Sequence, residues 1–248
     1  LGPQVNSLNK FVSLSKKGKQ NSHNLGYFRN EKDIEKTGQI KDVIQANDEI
    51  LVQIDKEPIS TKGPRIGSEV SLPGRYLVLV PFSDRVSVSQ RVTDKEEKKR
   101  LKTLVSSIKP KGFGVIVRTN AADKKVAELD KDLKDLLVKW KKVHKSLKDA
   151  RAPRKILGEV SRTSALLRDI LNDSFEQITV DSEDIYEEID AYIEQKLPNS
   201  KNRLKLYNGQ MPVFDKMGIA KQIKASFGST VTLKSGIYLI SSDQLYLC

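Results

Sequence analysis

From Lys124 to Leu147 apolar residues return every three or four positions: Val126, Leu129, Leu133, Leu136, Leu137, Trp140, Val143 and Leu147. They fall on one stripe, which predicts a single long helix with Lys and Asp on its other face. Ahead of it the period shortens. Ile50–Lys56, Tyr76–Val80, the alternating Val86–Val92 and the run Gly112–Val117 read as strands. Between the last two, residues 94–107 are charged and helical, with Asp94 placed as the N-terminal cap. Pro153 breaks the long helix. Beyond it helices at 163–171, 183–196 and 218–227 alternate with strands at 178–180 and 204–207, the pattern of a small α/β layer. Residues 230–240 read as a hairpin. Residues 1–40 carry little pattern, and the polar, basic stretch 13–24 is expected to be a loop or insertion.

Composition narrows the partners. The 248 residues carry 44 Lys and Arg against 32 Asp and Glu, a formal charge of +12. That excess favours a polyanion, RNA or DNA, over a neutral metabolite, although lysines beside acids also make an ordinary solvated face. A hydrophobic content of 38% suffices for a core, in one large domain or two to three small ones. The single cysteine, Cys248, excludes an internal disulfide and a cysteine-based zinc cluster within the chain. No apolar stretch approaches the roughly 18 residues of a membrane span and no signal peptide is visible. A cytoplasmic location without a membrane partner is the expectation. The chain opens on Leu1 rather than Met, so a missing beginning is expected too.

Arg118-Thr119 is the leading chemical candidate. A short buried strand that ends by delivering a guanidinium and a hydroxyl into a loop suits a phosphate, because the guanidinium fork matches phosphate oxygens and the hydroxyl adds a short bond. A surface ion pair is the plainer role for such an arginine. Lys62 and Arg65, in a basic loop turned by Gly63-Pro64, can reach phosphates as well. Trp140 lies on the helical stripe and is core before it is a stacking platform. His144 is structural or exposed, and His23 has no metal-ligating company. The acidic residues Asp181, Glu183, Asp184, Glu187 and Glu188 are carboxylates that complement a helix dipole rather than a metal site.

With those residues in view, the chain resembles the ribonuclease E/G family, in the form found in Bacteroidetes-like bacteria. The resemblance is carried by Val52–Glu57, Thr61-Lys62-Gly63, Ser71–Pro81 and Gly114–Thr119, and further on by Lys205-Leu206-Tyr207, Pro212-Val213-Phe214 and Ile219–Ile223. It implies an α+β multidomain fold. Residues 1–66 correspond to a partial S1 (OB-type) RNA-binding barrel with a basic insertion. Residues 67–163 correspond to an α+β sensor of the RNA 5′ end, 164–228 to a ribonuclease-H-like α/β layer, and 229–248 to the start of a DNase-I-like catalytic domain.

The resemblance also assigns roles. Arg118, Thr119, Gly74 and Val78 match positions that bind a 5′-monophosphate, Arg91 flanks that pocket, and Lys62, with Arg65 nearby, contacts RNA. In physical terms a terminal monophosphate is a compact dianion at neutral pH. Gly74, lacking a Cβ, would let the backbone come close to it, with an N–H near Val78 adding a donor. The family hydrolyses single-stranded RNA in ribosomal RNA processing and messenger decay, with magnesium held by aspartates of a segment reading roughly Ile-Asp-Val-Asn-Ser-Gly. That segment would follow Tyr238-Leu239, where this sequence instead runs Ile240–Cys248. Asp243, in that divergent tail, is not assigned as a metal ligand, and the family's zinc-linking cysteine pair has no counterpart. The aromatic residues of the early barrel strands would precede Leu1. The expectation is therefore an RNA-binding and 5′-end-sensing portion of an endoribonuclease, without catalytic or metal-binding residues of its own. The complete enzyme would use Mg2+ and form oligomers, while this piece would be monomeric or ill-assembled and inactive alone. The alternative is a non-catalytic RNA-binding protein that reads no end.

Overall fold

A computed structural model of the chain describes residues 4–20, 23–33, 37, 39–158, 161–171, 174–196, 202–228, 230–233 and 236–239. The chain divides between Val160 and Ser161 into two compact units. The first begins with helix α1 (Val5–Lys16) and a hairpin of β1 (Gln53–Lys56) and β2 (Arg65–Gly67). It continues with β3 (Leu72–Pro73), β4 (Leu77–Pro81), β5 (Val86–Val88), α2 (Lys95–Ile108), β6 (Phe113–Val117) and α3 (Val126–Lys148). Four strands form a sheet in the order β3-β4-β6-β5. β4 runs antiparallel to both neighbours, while β5 is parallel to β6 and joined to it through α2. A parallel neighbour needs such a crossover, because a hairpin cannot return the chain in the same direction.

The sheet's inner face is legible in β4, where Leu77, Leu79 and Pro81 are buried and Val78 and Val80 are half-buried. Leu77, Leu79, Phe113, Val115 and Val117 meet Leu129, Leu133, Leu136 and Trp140 of α3 in one core. α2 is capped as the sequence predicts, the Asp94 carboxylate accepting from the Glu96 N–H at 2.9 Å. At the start of α3, Glu128 turns back to accept the Lys125 N–H at 3.1 Å.

Two local expectations change. Residues 5–16 are not loosely patterned chain but a helix whose Leu8, Phe11 and Val12 enter the core described above. Phe11 stands at the middle of an aromatic cluster, 5.2 Å from Trp140, 5.5 Å from Phe82 and 5.8 Å from Phe28 between ring centroids. Consequently Ser13–Lys16 belongs to α1 rather than to a loop. The alternating run Val86–Val92 is strand only to Val88, because the Ser89 hydroxyl accepts the Arg91 N–H at 3.3 Å and the chain turns there. His144 is buried, its ring nitrogen 2.8 Å from the Gln20 carbonyl oxygen. Around β1 and β2 the described residues form a two-stranded sheet.

The second unit contains α4 (Arg162–Ile170), β7 (Ile178–Val180), α5 (Glu183–Lys196), β8 (Leu204–Leu206), α6 (Val213–Lys216) and α7 (Ile219–Ser226). β7 and β8 are parallel, and Leu167, Leu171, Val180, Ile189, Ile193 and Leu204 make its core. An antiparallel hairpin of β9 (Thr230–Leu233) and β10 (Gly236–Leu239) follows. The architecture is mixed α and β throughout. Ile240–Cys248, including Asp243, lies outside the described residues.

Candidate phosphate-binding site

β6 delivers Arg118 beside β4. The Arg118 N–H donates to the Tyr76 carbonyl at 2.8 Å, extending the ladder by one pair, and its Nη1 donates to the Gly74 carbonyl at 2.8 Å. Arg118 and Gly74 are therefore brought together, in direct contact. The turn that holds Gly74 is fixed from two sides. The Gly74 N–H donates to the Leu77 carbonyl at 2.8 Å. Asp132, on α3, accepts the N–H groups of Arg75, Tyr76 and Leu77 at 3.1, 2.8 and 2.9 Å. One carboxylate thus satisfies main-chain donors that would otherwise be left at the sheet's end.

Glycine at 74 also has a local cause. A Cβ there would lie 2.6 Å from Asp132 Oδ2, so the missing carbon makes room for that carboxylate.

Val78 contributes differently. The main-chain bonds between Arg118 and Tyr76 and between Phe82 and Gly112 bracket the β4–β6 ladder. With alternation of bonded pairs, Val78, paired with Ile116, falls on a bonded position, which commits its N–H to the sheet. Its side chain is half-buried. Successive side chains alternate across a strand, so Val78 and Ile116 share the face of the sheet opposite the buried Leu77, Leu79, Val115 and Val117. Ile116 is 43% exposed there, which leaves an apolar strip on that face.

Thr119 is exposed, with its hydroxyl 3.1 Å from Ser89 Oγ. Ser89 Oγ also accepts the Arg91 N–H, and because a serine oxygen has two lone pairs either hydroxyl can donate across the Ser89–Thr119 contact. Ser89 is held in place by its own N–H, which donates to the Val117 carbonyl at 2.9 Å. Ser89 thereby links Thr119 to the turn that carries the exposed Arg91.

The loop following Thr119 is tied to α2. Arg100 pairs with Glu97 through Nε and Nη2 and donates to the Lys124 carbonyl at 3.2 and 3.3 Å, while Glu97 accepts the Asp123 N–H at 3.0 Å. The Arg100 hydrogen bond, and to a lesser extent the Asp123 N–H, hold the Glu97 carboxyl below its ordinary value against the opposing effect of burial. Lys62 and Arg65 occupy a separate hairpin, where Lys62 bridges Ile59 and Arg65 Nε lies 4.0 Å from Asp55.

The sequence missed Ser89, Asp132 and Ile116 as contributors. Asp132 reads there as one more solvated acid on α3, although it is seven residues before Lys139, whose ammonium donates to the Pro73 carbonyl at 3.3 Å from the same side of the helix.

In the acidic stretch of the second unit, Glu188 accepts the hydroxyls of Ser161 and Ser164, which hold its carboxyl below the ordinary range. Glu183 and Asp184 lie in the first turn of α5. Among the described residues no group of three or more His, Cys, Asp or Glu is arranged to hold a metal ion. No helix among them is long and apolar enough to cross a membrane.

An Arg-Thr pair at the end of a buried strand, in a strongly basic chain, suits a phosphate-bearing partner. Residues 71–243 match the family model of the Ribonuclease E/G family, and the chain belongs to that family. It is 34% identical over 219 residues to Ribonuclease G of Haemophilus influenzae, covering 88% of this chain and 45% of that protein. Ribonuclease G of Escherichia coli is 33% identical over 201 residues, covering 81% and 41%. Ribonuclease E of Haemophilus influenzae is 36% identical over 198 residues, covering 79% and 21%. The chain thus spans less than half the length of these relatives.

Proposed function

We propose that this chain is the RNA-binding and 5′-end-sensing portion of a ribonuclease E/G-type endoribonuclease, which cleaves single-stranded RNA in ribosomal RNA processing and messenger decay. The observation that carries the proposal is that consecutive residues at the end of β6 set a guanidinium on the Gly74 carbonyl and an exposed hydroxyl beside Ser89, next to the Val78–Ile116 pair of the sheet. The terminal phosphate meets Arg118 and Thr119, and the first nucleoside lies on Val78 and Ile116. Arg91 supplies further positive charge at the rim. Gly74 presents the carbonyl on which Arg118 rests, and Asp132 keeps that carbonyl in place. A 5′-hydroxyl offers no charge to this pair, and a triphosphate is too long for a seat built around one phosphate.

Lys62 and Arg65 carry the RNA onward along the β1–β2 hairpin, the S1-like end of the molecule. The sensor spans 67–163, with α1 joined to its core, the ribonuclease-H-like layer spans 164–228, and the catalytic domain opens from 229. The residues described do not form a site for magnesium. The complete enzyme would cleave with Mg2+ and assemble as an oligomer in the cytoplasm.

Titrating one oligoribonucleotide with 5′-hydroxyl, 5′-monophosphate and 5′-triphosphate ends tests the proposal. A monophosphate preference abolished by Arg118→Ala is expected, with no magnesium-dependent cleavage by residues 1–248. Equal affinity for all three ends, with a steep salt dependence, would instead describe an RNA binder that reads no end.

A further inference from the structure

Charge is unevenly divided along α3. Its first ten residues, Val126–Asp135, mix Glu128, Asp130, Asp132 and Asp135 with Lys131 and Lys134, and Lys134 pairs with Asp130 at 2.6 Å. From Leu136 to Lys148 there are five lysines, Lys139, Lys141, Lys142, Lys145 and Lys148, and no acid. Complementing the helix dipole explains Lys145 and Lys148, which lie in the last turn, but that effect dies away before Lys141.

Their placement on the helix is specific. At 3.6 residues per turn Lys141, Lys145 and Lys148 form one continuous ridge, about 160° around the axis from the Asp132–Lys139 side that faces the phosphate site. All three are exposed, and no ion pair among the described residues engages them. Val138, 53% exposed, lies beside the same ridge. The segment after α1 runs along the ridge's flank. The Gln20 carbonyl is 2.8 Å from the His144 ring nitrogen and the His23 carbonyl accepts the Trp140 indole N–H at 3.0 Å, and the exposed Lys17 and Lys19 lie three and one residues before the first of these contacts. His23 is held below its ordinary pKa, by burial first and then by Lys141 and His144, in keeping with a positive potential there.

We propose that the Lys141–Lys145–Lys148 ridge, extended by Lys17 and Lys19, is a second RNA-binding surface that grips the sugar-phosphate backbone irrespective of how the RNA ends. Lysine suits this role, being a compact charge on a flexible stem that follows successive phosphates without fixing a bidentate geometry. Because the ridge points away from Arg118, it engages a different stretch of RNA from the one whose end is read, and it does not depend on end recognition.

The test replaces Lys141, Lys145 and Lys148 together with Gln in the full chain and measures affinity for a 5′-hydroxyl single strand, the same strand with a 5′-monophosphate, and an RNA hairpin, across a salt series. A control variant with Lys98, Lys99 and Lys102 of α2 replaced by Gln removes the same net charge. The ridge variant should lose about tenfold or more in affinity for both single strands alike, with the log–log salt slope shallower by about 2, at about 0.7 per lost single-strand phosphate contact. A loss confined to the hairpin would make the occupant a duplex and overturn the single-strand assignment implicit in that slope. Unchanged affinity in a variant with native circular dichroism, or an equal loss in the α2 control, would overturn the ridge itself. Loss of end preference alone, seen with Arg118→Ala, concerns the phosphate site and leaves the ridge standing or falling by its own variant.

Discussion

Gly74 and Asp132 occupy each other's space: the carboxylate that fastens the strand end sits 2.6 Å from where any larger residue at 74 would place its Cβ. Gly74→Ala should therefore destabilise the first unit by about 1–3 kcal/mol, the usual cost of overpacking a rigid site. Asp132→Ala should cost a similar amount, about 1–3 kcal/mol, by leaving main-chain donors unsatisfied. Denaturant unfolding of both single variants and the double variant checks the relationship. The double variant should be less destabilised than the sum, because removing the carboxylate frees the volume that the added methyl group needs.

Ser89→Ala should leave folding nearly unchanged and weaken the preference for a 5′-monophosphate several-fold. Without the Ser89 hydroxyl beside it, the Thr119 hydroxyl loses the partner that holds its rotamer. Competition binding between monophosphate and hydroxyl ends, compared with Thr119→Val, is the measurement. The two variants should behave alike.

Acid should loosen the loop that carries Thr119. The folded Glu97 carboxyl is held low by Arg100. Its contribution is fully present above the unfolded glutamate value and is lost as pH falls through the lower folded value. The Thr119 and Asp123 amide resonances of the free protein should titrate together below the normal glutamate range, and Glu97→Gln should remove that titration. The free protein is the right sample, because a bound monophosphate itself changes charge near pH 6.

Phe11→Ala should lower stability by about 3–5 kcal/mol, the range for truncating a fully buried aromatic residue. An expendable N-terminal segment would show almost none of this loss in chemical denaturation.

Much of this fold is legible in the sequence. The α3 stripe, the Asp94 cap, the Phe113–Val117 strand and the alternation of the second unit all arise from local periodicity or local capping. α1 escapes because its buried face includes Ser7 and Ser15 beside Leu8 and Phe11, and its last turn runs into Lys16-Lys17-Gly18-Lys19, which reads as solvated loop. The Arg118-Thr119 pair is visible because two phosphate-competent side chains close a buried strand. Asp132 and Ser89 are not, since their roles depend on partners 55–57 and 30 residues away and on main-chain donors that have no sequence signature.

The Arg118–Gly74 contact has a consequence for order. One of the five N–H groups of the guanidinium is held by an uncharged backbone oxygen, which fixes where the planar fork lies. A side chain anchored in advance has less freedom to lose when it gains a further partner.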